Sequence, residues 1–278
     1  MTSLVPLALM LMQVGIDPNG GQVPGIPEEL RNRPPRQATP EARTPAPAPP
    51  PAKLSACLDT IRTSPTGAAQ QANAWLAGAQ GLERAQAGHC LGLAQVESGN
   101  WNAAAATFAA ARDSVPAVNA TYRARLAALG GNAALAAGDA GKALTLLDAA
   151  RGEATKSGAL AGEIAVDRAR ALVALGRPAE AALALGEARA AKPDDAQAWL
   201  LSATLSRRQG DLVSAQAQIE KAATLAPRDP GIGLEAGVIA ALAGNDLAAR
   251  QSFESVIALA PESEQAAAAK AYLEQLKP

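Results

Sequence analysis

The chain has 278 residues, enough for one or two domains, and a formal net charge of −1 from 25 Lys and Arg against 26 Asp and Glu. Balanced charge, with no basic block and no aromatic residues interleaved among cations, lacks the electrostatic footprint of a nucleic-acid binder. Apolar residues make up 49% of the chain and aromatics only 3%, so the apolar content is mostly Ala. Ala buries little area per residue, which calls for closely approached helices with many small contacts and hence an all-α fold.

Leu4 to Met12, LVPLALMLM, is an apolar run of the length of a signal-peptide core and much too short to span a bilayer. No Lys or Arg precedes it and no clean A-x-A site comes after it, with Gly15 the best small residue on offer. Residues 1–15 are read as a signal-like segment, which places the protein in the periplasm or exports it; the alternative is a cytoplasmic chain. Residues 16–53 hold more than half of the prolines, interspersed with Gly and charge. Such a segment buries too little apolar surface to offset its ordering entropy, so a disordered Pro-rich linker is expected.

Residues 54–84, with KLSACLDTIRTSP and TGAAQQANAWLAGA, read as a helix pair that forms an N-terminal cap. From 85 to 261 a unit recurs five times. Gly176, Gly210 and Gly244 fall 34 residues apart, as do Pro193, Pro227 and Pro261, and the same pattern returns at Gly138 and Gly99 with longer seams around 155–160 and 116–121. Fixed-period self-similarity is the signature of a solenoid.

Each position of the unit has a physical reason. The Gly ends one helix by supplying a left-handed residue. Five residues on stands Ala104, Ala143, Ala181, Ala215 or Ala249, the mark of a close helix crossing. Four further comes Phe108, Leu147, Leu185, Ile219 or Phe253, and three further a small residue, which puts all three on one helical face. Pro116, Pro193, Pro227 and Pro261 then break the chain, with Thr155 in the remaining place. Seven residues before each Gly sits Gly92, Gly131, Ala169, Ala203 or Gly237, again implying close approach. Residues 262–278 form an amphipathic C-terminal capping helix with Tyr272, Leu273 and Leu276 available for its buried face.

A 34-residue helix-turn-helix with Trp199, then a small residue, Gly-Asp, Ala, a large apolar residue, Ala and Pro resembles the tetratricopeptide repeat (TPR) family. The resemblance covers five units and is strongest over the last three. It implies a right-handed α-solenoid whose first helices line a concave groove. It also implies that the groove or its rim carries His89, Arg125, Asn132, Glu163, Val166, Arg170, Gln197, Leu200, Thr204, Arg207, Arg208, Leu234 and Val238. Arg170, Arg207 and Arg208 would grip the carboxylate of an extended peptide, or else be solvated helix-face charges. The two-carboxylate clamp of one TPR subclass is not matched: only Asn132 fits, and Ala128 and Asp167 stand at other clamp positions.

Cys57 and Cys90 lie 33 residues apart, nearly one repeat, and if the cap pair stacks like a repeat both fall at comparable positions on successive first helices. They are read either as a disulfide stapling the cap to the first repeat or as two small buried thiols. His89 is the only His in the chain and has no ligand cluster at metal spacing. With no HExxH, no G-x-S-x-G and no phosphate-binding Gly loop, neither catalysis nor a cofactor nor a small-molecule substrate is expected. The expected function is a non-catalytic scaffold that holds a peptide or protein partner in the groove, in a cell-envelope context; the alternative is an accessory or regulatory subunit of a cytoplasmic enzyme complex.

Overall fold

The computed structural model describes residues 51–154 and 158–276. The signal-like segment, the linker up to residue 50, Thr155 and Lys277 lie outside the described residues. Among those described there are thirteen α-helices, one 3-10 turn and no strand.

Helices α1 (Ala52–Ile61) and α2 (Pro65–Leu76) make the cap. Five helix pairs come next: α3 (Gly81–Glu97) with α4 (Trp101–Ser114), α5 (Ala120–Ala136) with α6 (Ala140–Glu153), and α7 (Ala159–Ala174) with α8 (Pro178–Ala191). Then come α9 (Ala196–Arg208) with α10 (Leu212–Leu225), α11 (Pro230–Leu242) with α12 (Asp246–Leu259), and the closing helix α13 (Glu264–Gln275). The first helix begins two residues inside the segment read as linker, because Pro51 sits just ahead of it where a missing N–H does no harm.

The Gly-Asp junctions work as paired stop and start signals. Gly210 has φ +81°, and Asp211 N–H donates back to the Ser206 carbonyl at 3.0 Å, closing α9 with a Schellman turn. Asp211 then accepts from Ser214 N–H at 3.0 Å and caps α10, worth about 1 kcal/mol. Gly244 and Asn245 repeat the arrangement between α11 and α12.

Ala104, Ala143, Ala181, Ala215 and Ala249 are all fully buried, and each lies beneath the preceding first helix as its spacing demands. Opposite them, Phe108, Leu147, Leu185, Ile219 and Phe253 fill the space between the two helices of each pair. A Cβ added at Gly92 or Gly131 would come within 3.0 Å of the Phe108 ring or the Leu147 side chain, so these crossings leave room for hydrogen alone.

The longer seam before α5 is held by charge. Glu153 of α6 accepts from Arg112 Nη2 at 2.7 Å and from Arg123 Nε at 2.9 Å, while Arg123 Nη1 also donates to the Val115 carbonyl at 2.8 Å. Burial alone would raise the Glu153 carboxyl, but its hydrogen bonds to the two guanidinium groups outweigh that and hold it below the usual carboxylate range.

The C-terminal cap packs through a mixed face of small and large residues. Its fully buried residues are Ala266 and Ala269. Tyr272 stacks on Phe253 at 5.3 Å and stays partly exposed, and Leu273 and Leu276 are half-buried.

Candidate functional site

Curvature decides which face can act as a groove. First helices touch one another at four places along the stack, α1 with α3, α5 with α7, α9 with α11, and α11 with α13, with α3 and α5 and the cleft pair α7 and α9 standing farther apart, whereas no two second helices have more than marginal contact. First helices therefore lie on the inner, shorter radius and second helices on the outside.

On that inner face the sequence-derived residues divide into groups. Arg125, Asn132, Glu163, Arg170, Gln197 and Arg208 are exposed, and Leu200, Thr204, Leu234 and Val238 are half-buried. Val166 does not line the groove: it is 5% exposed and packs with Ala165, Ala188 and Ala198. His89 is largely buried too, with Nδ1 3.2 Å from the Tyr122 hydroxyl and its ring against Phe108 and Tyr122. Burial, with the Arg125 charge adding to it, pushes the imidazole down to about 4, so His89 is neutral at pH 7 and belongs to the packing.

The arginines differ more sharply. Arg207 is engaged by Glu235 on α11 through two hydrogen bonds, of 2.6 and 3.2 Å, so its carboxylate-binding edge is taken by the protein itself. Arg170 Nη1 donates to Asp167 at 2.7 Å, and the Asn132 side chain hydrogen-bonds the same carboxylate. Asp167 is 7% exposed, and burial raises its carboxyl against the pull of those two partners. Arg208 makes no ion pair among the described residues.

Arg170, Thr204 and Arg208 come together around a cleft of about 270 Å³ between α7 and α9, whose remaining walls are Ala169, Val173, Ala174, Leu185, Leu201 and Leu205. Arg125, Asn132, Gln197 and Leu200 are not part of it. The apolar walls were not singled out from sequence, although Val173 and Leu201 each lie three residues from a groove position, Arg170 and Thr204, and so share its helical face. Trp199 serves the seam instead: its indole N–H donates to the Pro193 carbonyl at 2.9 Å, and the Arg189 guanidinium lies 4.9 Å from its ring centre.

At the other end, Cys57 of α1 and Cys90 of α3 are joined by a disulfide, with Cα atoms 6.2 Å apart and both residues fully buried. Among the described residues no group of three or more His, Cys, Asp or Glu is placed to hold a metal ion, and no helix is long and apolar enough to cross a membrane.

No family model and no curated protein matches the sequence. Solved structures do match. A structure of PilF from Pseudomonas aeruginosa aligns over 79% of this chain and 97% of its own, with TM-score 0.60 and 14% identity. TTC0263, a thermophilic TPR protein of Thermus thermophilus, aligns over 68% of this chain and 99% of its own, with TM-score 0.54 and 18% identity. YrrB, described as a TPR protein with an unusual peptide-binding site, aligns over 66% of this chain and 90% of its own, with TM-score 0.51 and 18% identity. With five stacked helix pairs, a positive-φ Gly at the junction of each and an inner face of first helices, the described chain has the tetratricopeptide-repeat fold, a right-handed α-solenoid.

Proposed function

We propose that the protein is a non-catalytic interaction scaffold that holds a peptide segment of a partner protein along its inner face. The observation that carries this reading is the α7–α9 cleft, where exposed Arg170 and Arg208 border an apolar cavity open to solvent on the face of the first helices. A cavity this small and open suits one side chain of a longer ligand better than a whole small molecule, whose sites are larger and more enclosed. The peptide-binding site described for YrrB adds support by likeness of fold.

The working place in this reading is the cell envelope. It is supported by the apolar run from Leu4 to Met12 and by the buried Cys57–Cys90 pair, since disulfides persist in oxidising compartments. Digestion by protease added to spheroplasts of the native host, without lysis, is the expected result; protection until lysis would place the protein in the cytoplasm.

The scaffold reading is tested by site-specific photocrosslinking in the native host. A photoreactive residue at Gln197, exposed on the inner face, should yield a defined protein adduct that is lost when Val173→Asp is added. The same probe at Leu183, exposed on the outer face, should yield none. Adducts from Leu183 alone would overturn the assignment.

A further inference from the structure

The cleft between α7 and α9 carries a more specific demand on its occupant, which rests on the groove reading above. Arg208 stands at the rim without an ion pair among the described residues, and an exposed guanidinium in water needs no protein partner. A ligand that fills the cavity walled by Val173 and Leu201 removes that water. The guanidinium is then left unpaired at a desolvated rim unless the ligand itself brings an acceptor.

Arg170 makes no such demand. The Asn132–Asp167–Arg170 chain of hydrogen bonds supplies it with a buried carboxylate and fixes its guanidinium at the opposite rim. The cleft thus has one cationic vacancy rather than two, beside one apolar cavity.

The inner face also continues past the cleft in both directions. Leu129 and Leu135 lie before it, and Leu234, Val238 and the exposed Leu242 lie after it, each on a first helix of a neighbouring repeat. A trough that runs on in both directions lets an extended chain pass through the cleft rather than stop in it.

We propose that the α7–α9 cleft reads an internal, extended segment of a partner protein in which a large aliphatic or aromatic side chain fills the cavity and an Asp or Glu within two residues of it pairs with Arg208. Asp167, held in place by the Asn132 side chain, acts as a positioning residue that neutralises Arg170 and so keeps the requirement at one carboxylate.

The experiment is selection of the full chain against a random dodecapeptide display library, followed by binding of enriched sequences as synthetic peptides, acetylated and amidated. Enriched sequences should share Leu, Ile, Met or Phe with Asp or Glu one or two residues away. Arg208→Glu should weaken the synthetic peptides by about tenfold, the scale of one lost charge-assisted hydrogen bond at a partly desolvated site. Selection on the Arg208→Glu protein should replace the acid with Lys or Arg. Arg208 is exposed, so the substitution leaves the fold intact, and circular dichroism checks that.

Three results overturn the proposal. Enriched peptides that need the groove, as shown by loss with Val173→Asp, but carry no acid would remove the carboxylate requirement and leave the scaffold reading standing. Peptides that bind only with a free C-terminal carboxylate would convert the site to a reader of chain ends. No enrichment, or binders indifferent to both Val173→Asp and Arg208→Glu, would remove the groove reading together with this one.

Discussion

Arg207 and Glu235 form a two-point ion pair between the first helices of adjacent repeats, Nε to Oε1 at 2.6 Å and Nη2 to Oε2 at 3.2 Å, with side chains only 21% and 13% exposed. A pair so withdrawn from solvent couples α9 to α11. Removing one partner leaves a charge without compensation.

Glu235→Gln should therefore destabilise the C-terminal repeats by about 2 kcal/mol, less than a fully buried pair because some solvent reaches both groups. Replacing both residues with Met should recover much of that loss. Urea denaturation of Arg207→Met, Glu235→Met and the double variant measures the coupling, and additive losses would show that the pair contributes nothing as a pair. Any loss of partner binding in an Arg207 variant should track this loosening of the stack rather than loss of a direct contact.

His89 gives the fold a pH dependence with a defined sign. Its folded pKa is pushed down to about 4, below the ordinary 6.5, chiefly by burial. Between those values the unfolded chain binds a proton that the folded chain refuses. The His89 contribution is therefore complete above pH 6.5 and is lost as pH falls toward 4. The wild type should lose about 2 to 3 kcal/mol more than His89→Gln between pH 7 and pH 4.5. Parallel losses in the two proteins would assign the acid sensitivity to other groups.

The Cys57–Cys90 bond closes a separation of 33 residues, for which chain entropy gives about 3 to 4 kcal/mol. In a solenoid that stabilisation is local, because each unit contacts mainly its neighbours. Cys57→Ser with Cys90→Ser should raise amide exchange in α1 to α3 and leave α9 to α13 as protected as before. Uniform loosening along the whole stack would contradict the local account, and unchanged exchange would mean that the bond contributes nothing.

The parts of this fold that were legible in the sequence are those where backbone geometry restricts residue type at fixed spacing. Gly210 is needed for its positive φ and Ala215 for its close crossing, so each recurs at 34 residues, whereas the cap position after the Gly varies from Arg177 to Asp211 to Asn245. Partner choice on a helix face leaves no such trace. Arg207 and Arg208 are adjacent in sequence and both fall on the groove side, yet one is taken by Glu235 and the other has no ion pair among the described residues. Helical periodicity gives a residue's face to within a fraction of a turn, which is too coarse to separate Val166, packed against Ala198, from Arg170 one turn later. His89 finds its partner in Tyr122, just past the irregular seam, where the repeat register no longer applies.

The crossing of α11 over α12 sets two effects of opposite sign against each other. Gly in mid-helix is worse than Ala by about 1 kcal/mol, so helix propensity alone predicts that Gly237→Ala stabilises the protein. Packing predicts the reverse: a Cβ at 237 would come within 3.0 Å of three carbons of the Phe253 ring, which is fully buried and stacked on Tyr272, so it has nowhere to move. The other repeats show how the volumes trade. Ala169 faces Leu185 and Ala203 faces Ile219, whereas Gly92 faces Phe108. Gly237→Ala should thus destabilise by about 1 to 3 kcal/mol, the usual scale of overpacking. Adding Phe253→Leu should recover part of that loss, because the smaller side chain recreates the pairing of the third repeat. Phe253→Leu alone should open a void and loosen α13 by removing the ring beneath Tyr272. Denaturation of the three variants decides: if Gly237→Ala matches or exceeds the parent in stability, close packing does not explain why this position is glycine.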